Sequence, residues 1–107
     1  MDNVLVADCG EGPYSFVTAL QHLKAGYVAG RKEWREQYDP MCFVFRQEGY
    51  PDGVELNEAT RKASGISASR TVVRPYLMAC LRDSSLAPWM PSYEDLFAND
   101  WYVLLPT

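Results

Sequence analysis

Hydrophobic positions along the chain change period several times, and each change marks an element. After Ser15, Phe16, Ala19, Leu20 and Leu23 fall at i, i+3, i+4 and i+7. That stripe predicts one apolar helical face, with Ser15 as N-cap and Gly26 as the stop. A helix of about three turns must be held by packing rather than by its own propensity. His22, the single histidine, falls off the stripe.

Beyond Gly26 the period shortens. Residues 27–34 and 41–48, joined by the polar run REQYDP, predict a two-stranded hairpin, with Val28, Met41, Phe43 and Phe45 as strand-type side chains. Gly49, Pro51, Asp52 and Gly53 predict a turn cluster. Asn57 is placed to cap a short helix that ends at Gly65. Residues 70–82 form the longest strand candidate, and Pro75 in its middle makes it an edge, a bulge or a break. Asp83-Ser84-Ser85 then turns the chain back toward Trp89 in a second hairpin. Ser92 with Asp95 three residues on predicts a capping box over a one-turn helix, and DWYVLL supplies a closing strand. Connections are mostly of hairpin length, so the expectation is an α+β fold. It is a small, mostly antiparallel sheet with a short N-terminal helix and two further short helices, in a single domain of residues 1–107.

Composition adds limits. The 107 residues carry 48% hydrophobic and 22% charged side chains, an ordinary soluble balance. Net charge is −4, but its distribution is lopsided: residues 1–82 are neutral and the excess lies on Asp83, Glu94, Asp95 and Asp100. A polynucleotide binder needs a basic surface to displace condensed counterions, so DNA and RNA are not expected partners. Cys9, Cys42 and Cys80 show no CxxC spacing and read as reduced thiols. The start of the chain has no basic region ahead of an apolar stretch, and no run approaches a membrane span. The expected location is the cytoplasm, with no membrane association.

The catalytic inventory is thin. His22 is the only histidine base for a nucleophile and sits on a predicted helix surface. Glu94 and Asp95 are better explained as first-turn acids of a helix than as an acid–base pair. No phosphate loop, metal cluster or cofactor motif is present, so no catalytic residue, metal or cofactor is expected. A binding constellation remains. Arg31 and Trp34 lie three apart, Arg74 precedes Pro75, Trp89 lies between Pro88 and Met90, and Trp101 follows Asn99-Asp100. Aromatic faces can stack on a base, Arg can grip phosphate, and Asn or Asp can bond ribose hydroxyls. Each tryptophan taken alone reads first as a core residue. Their positions at segment ends beside polar residues leave a ligand surface open.

These residues also carry a resemblance. Phe16, Ala19-Leu20, Leu23-Lys24, Gly26, Val28, Arg31 and Trp34 resemble the opening of a small phage and prophage domain. Met41-Cys42-Phe43-Val44, Arg74-Pro75-Tyr76 and the stretch from Ala87 to Leu104 agree in order and spacing. The family is the Thoeris anti-defence protein of the second type. The likeness runs from Ser15 onward, which divides the chain into an extension, 1–14, and a sponge-like domain, 15–107. It departs from the family at Glu33-Trp34-Arg35-Glu36, where Gly-Trp-Asn-Gly is common, and in a longer REQYDP loop that should border the pocket.

The resemblance implies a sponge that binds and sequesters a cyclic ADP-ribose isomer, and in some relatives cyclic di- or oligonucleotides, without cleaving it. It implies a homotetramer with pockets between subunits, acting in the cytoplasm of an infected bacterium. Carried over by motif, the candidate ligand-binding residues are Arg31, Trp34, Phe43, Arg74, Tyr76, Trp89, Asn99 and Asp100. The alternatives are a small phosphodiesterase-like enzyme and a virion oligomerisation module.

Overall fold

A computed structural model of the chain describes residues 10–104. Cys9 and most of the expected extension lie outside the described residues. The chain divides into two compact units, one built from the residues up to Arg46 and from Leu77 onward, the other from Gln47–Tyr76.

The first unit opens with strand β1 (Glu11–Tyr14), inside what the sequence assigns to the extension. Helix α1 (Phe16–Lys24) follows, and Ser15 Oγ accepts from the Thr18 amide as expected of its N-cap. Phe16, Ala19 and Leu23 are buried, so the apolar stripe is the packed face, with Leu20 at its margin. His22 is half-buried rather than solvated. Its ring stacks on Tyr14 at 5.3 Å, meets Tyr27 edge-on at 5.1 Å, and donates from Nδ1 to the Thr18 carbonyl at 2.8 Å.

Strand β2 (Val28–Arg31) is shorter than the expected 27–34, because Lys32–Glu36 forms a helical turn, α2. The Lys32 amide donates to the Asp100 carbonyl at 3.0 Å and the Glu33 amide to Asp100 Oδ2 at 2.9 Å. Those bonds satisfy first-turn amides that a helix leaves open, and propensity alone does not show them. β3 (Met41–Gln47) then pairs antiparallel with β2, as expected of the first hairpin. The predicted strand over 70–82 breaks at Arg74-Pro75, since proline donates no ladder bond. Its second half is β6 (Tyr76–Leu81), which pairs antiparallel with β7 (Leu86–Pro88) in the expected second hairpin. α4 (Tyr93–Phe97) carries the complete capping box of Ser92 and Asp95.

The final strand, β8 (Trp101–Leu104), lies inside the sheet, whose order is β1-β8-β2-β3-β6-β7. β1 takes its outer edge and β2 its inner edge, both antiparallel. At Gly12 a Cβ would stand 2.5 Å from the Trp101 carbonyl, so the close approach of β1 to β8 requires glycine there. Period-two alternation puts Trp101 and Val103 into the core with Ala29, Val44 and Ala79, against the buried stripe of α1. Cys42 and Cys80 are buried and not joined in a disulfide, and burial, with Cys42 nearby, pushes the Cys80 thiol up.

The second unit contains β4 (Tyr50–Val54), α3 (Glu58–Ser64) and β5 (Thr71–Val73). Asn57 Oδ1 accepts from the Thr60 amide at 2.8 Å and Gly65 ends the helix, both as expected. The turn cluster is instead a bulged strand. Tyr50 faces Val73 and Val54 faces Thr71, so β4 spends more residues than β5 over the same span. Gly53 at φ 90° supplies the left-handed residue of that irregularity. Arg61 and Arg70 close the unit by donating to the carbonyls of Ala68 and Gly53.

The packing assignment predicts a contrast on α1. Leu23→Ala should lower unfolding stability by about 2–5 kcal/mol in urea titration. Val17→Ala, on the exposed face, should change it by less than about 0.5 kcal/mol.

Candidate functional site

Arg31 sits at the end of β2, opposite Trp101 in the β2–β8 register. That pairing places Asp100, one residue before Trp101, beside the guanidinium. Nε donates to Asp100 Oδ1 at 2.9 Å, Nη1 to Asp95 Oδ1 at 3.0 Å, and Nη2 lies 3.0 Å from Glu33 Oε2. The Arg31 side chain is nine-tenths buried. Burial alone would lower the Arg31 guanidinium, but its hydrogen bonds to Asp100 and Asp95 and the charges of Asp100 and Glu33 hold it above its ordinary value.

Asp95 and Asp100 each have a second task. Asp95 Oδ2 accepts from the Ser92 amide at 2.9 Å to complete the α4 cap, and the Asp95 carbonyl accepts from Trp101 Nε1 at 3.0 Å. Asp100 Oδ2 accepts from the Glu33 amide. One guanidinium therefore ties together the start of α2, the start of α4 and the entry to β8.

Under this clamp lies an aromatic cluster. Trp34 meets Trp101 edge-on at 5.2 Å and Trp89 at 6.2 Å, and Phe16 tilts against Trp101 at 5.3 Å. T-shaped contacts of this kind set the electropositive edge of one ring against the electronegative face of another. Trp101 is fully buried, Trp34 is 5% exposed, and Trp89 is half-buried. The structure thus places Trp34 in the core, on the short helix α2 and not in a strand-to-turn segment, with little of its ring free to stack on a flat ligand.

Beside the clamp is a cleft of about 220 Å³, lined by Arg31, Glu33, Trp34, Asp39, Met41, Ser92, Glu94 and Asp95. Its chemistry differs from the phosphate grip expected of Arg31. Four carboxylates surround one cation, and that cation is already paired with two of them, Glu33 and Asp95, and with Asp100 outside the lining. Ionised carboxylates are acceptors only, so the wall suits hydroxyl and amino donors.

The loop between α2 and β3 borders the cleft at Asp39 and is held by Arg82. Arg82 Nε donates to the Asp39 carbonyl at 2.9 Å, Nη2 to the Trp34 carbonyl at 3.2 Å, and its guanidinium lies 5.3 Å from the Tyr38 ring centre. Sequence reasoning missed Arg82, Glu33 and the second role of Asp95. Asp95 meets Arg31 across 64 residues, the Glu33 amide meets Asp100 across 67 and Arg82 meets Asp39 across 43, so no local spacing announces these contacts.

Of the expected ligand-binding residues, the structure brings together Arg31, Trp34, Trp89 and Asp100, and Asn99 is exposed just before Asp100. Phe43 is half-buried on β3, tilted against Phe45 at 6.4 Å, and does not line the cleft. Arg74 and Tyr76 are exposed and belong to the second unit. Among the described residues no group of three or more His, Cys, Asp or Glu is arranged to hold a metal ion. No helix among them is long and apolar enough to cross a membrane.

The Tad2-like family, described as a Thoeris anti-defense 2-like domain, matches residues 14–104. The chain belongs to that family. Its match covers β1's last residue through β8, so the Arg31 clamp, the aromatic cluster and the cleft all lie inside the family domain. Among curated proteins none matches the chain at a significant level. Membership supports a Thoeris anti-defence role.

The clamp and loop contacts predict separable defects. Arg31→Ala leaves Asp95 and Asp100 without their cation and should cost about 3–5 kcal/mol in denaturant unfolding. Glu33→Gln, on the exposed arm, should cost under about 1 kcal/mol. Arg82→Ala should speed amide hydrogen exchange at residues 37–39 while leaving exchange in α1 unchanged.

Proposed function

We propose that this protein is a phage-type anti-defence sponge that binds and retains a cyclic ADP-ribose isomer without cleaving it. The observation that carries the reading is family membership across residues 14–104. The acceptor-rich cleft supports it, because a nucleotide offers ribose hydroxyls and a base amino group to Glu33, Asp39 and Glu94. Cyclic di- or oligonucleotides present the same groups and belong to the same ligand class. Sequestration needs affinity and no acid–base turnover, which suits a chain whose only histidine is engaged with Thr18, Tyr14 and Tyr27.

In this reading Arg31 organises the cleft rather than gripping phosphate, and Asp100, Trp34 and Trp89 hold its walls. At about 220 Å³ the cleft is below the ~300–1,000 Å³ usual for small-molecule sites. A pocket completed by a second subunit of a homotetramer resolves both the small volume and the shortage of cations. Arg74, Tyr76, Phe43 and Asn99 remain candidates for ligand contact in that assembled pocket. The setting is the cytoplasm of an infected bacterium.

The test is to incubate the protein with a cyclic ADP-ribose isomer, remove unbound material, heat-denature the protein and assay the supernatant by mass. Intact ligand recovered in proportion to protein is the expected result. Hydrolysed nucleotide would instead make the protein a phosphodiesterase-like enzyme, and no depletion of any cyclic nucleotide tried would end the sponge reading.

A further inference from the structure

The loop between α2 and β3 carries a residue that its backbone does not favour. Tyr38 stands at φ 52°, in the left-handed region that a bulky side chain rarely adopts. Three hydrogen bonds fix the turn: the Gln37 amide donates to the Glu33 carbonyl at 2.9 Å, the Tyr38 amide to the Arg35 carbonyl at 3.3 Å, and the Asp39 amide to the Trp34 carbonyl at 2.9 Å. The Tyr38 ring is nevertheless 82% exposed, so burial does not offset the strain. Glycine or asparagine would make the same turn at less cost.

The ring meets Arg82, whose guanidinium lies 5.3 Å from its centre, and an exposed contact of that kind is weak. Arg82 itself is half-buried and held in one orientation. Its amide donates to the Pro40 carbonyl at 2.7 Å, its Nε to the Asp39 carbonyl and its Nη2 to the Trp34 carbonyl. Its contact residue Asp39 and its chain neighbour Asp83 turn their carboxylates elsewhere. Asp39 Oδ1 accepts from the Met41 amide, and Asp83 Oδ1 from the amide and hydroxyl of Ser85. Among the described residues no carboxylate pairs with Arg82 and no acceptor meets its Nη1. Arg31 is spent on three acids, whereas Arg82 is an oriented cation with donors to spare.

We propose that Tyr38 and Arg82 form a nucleotide subsite at the rim of the acidic cleft, with Tyr38 stacking on a base and Arg82 Nη1 donating to a phosphate oxygen. The inference rests on the sponge reading for the class of ligand. Asp39, next to Tyr38, lines the cleft, and so does Trp34, whose carbonyl Arg82 holds. A cleft of about 220 Å³ is small for a dinucleotide-like ligand, so part of such a ligand lies over its rim. At Asp39 that rim leads straight to the Tyr38 ring. The division of tasks is chemical. Glu33, Asp39 and Glu94 accept from hydroxyl and amino groups inside, while the anion, which they repel, goes to the guanidinium outside. Arg82 against one face of the ring steadies it and leaves the other face for a base.

Calorimetric titration with a cyclic ADP-ribose isomer, with adenosine 5′-diphosphate and with adenosine tests the subsite. Wild type is expected to bind both phosphorylated probes, and adenosine about tenfold more weakly. Tyr38→Gly should weaken both phosphorylated probes about tenfold while unfolding in urea no earlier than wild type, since glycine relieves the backbone. A tyrosine with a merely structural role would not separate binding from stability in that direction. Arg82→Gln should abolish the preference for the diphosphate over adenosine, a ratio that loosening of the loop alone does not change. Should Arg82→Gln unfold, Tyr38→Gly decides. Tyr38→Gly binding as tightly as wild type, or a folded Arg82→Gln that keeps the preference, overturns the inference and leaves the sponge reading standing wherever the cyclic isomer is still held. Wild type that binds the diphosphate but no cyclic isomer, with that binding weakened in the variants, upholds the subsite and overturns the sponge reading. Binding of none of the three probes overturns the inference.

Discussion

The first unit is organised around a buried cation. Arg31 leaves β2 into a site with few water contacts, and three carboxylates from different parts of the chain converge on it. A buried guanidinium left unpaired would be costly, so the fold must bring Asp95 and Asp100 to it. Meeting that demand fixes where α2 starts, where α4 starts and how β8 enters the sheet. The tryptophans follow from the same geometry, since Trp101 hangs from the Asp95 carbonyl and Trp34 sits one helical turn past Arg31.

The clamp also decides what the neighbouring cleft can recognise. An arginine in open water next to an aromatic ring is a natural phosphate grip, and that is how the sequence alone reads Arg31. In the folded chain its donors are directed to carboxylates, and the surplus of acid turns the cleft into an acceptor surface. Anionic parts of a ligand must then be met by groups other than Arg31. The same helix that carries Asp95 inward carries Tyr93 and Phe97 outward.

Local features were legible in the sequence because their causes are local. The stripe of α1, the Ser15, Asn57 and Ser92 caps, the break at Pro75 and both hairpins each depend on side chains within a few residues. What was not legible depends on long-range partners. The start of α2 is held by Asp100 accepting from the Glu33 amide, and β8 is an interior strand because β1 arrives from the stretch before Ser15. β4 was hidden because glycine and proline read as a turn whether they bound a strand or bulge one. For the site, residue types singled out Arg31, Trp34, Trp89 and Asp100, which the fold brings together, while their burial and mutual pairing depend on long-range partners.

The proposed function requires the folded protein to hold a cyclic nucleotide without cleaving it. Thermal unfolding with cyclic ADP-ribose isomers and cyclic dinucleotides tests it most directly, because a ligand that binds only the native state must stabilise it. At a concentration a hundred times its dissociation constant, a true ligand should add about 2.7 kcal/mol and raise the melting temperature with a clear concentration dependence. A melting temperature unmoved by every member of the set, at saturating concentrations and with the protein fully folded, would contradict the account.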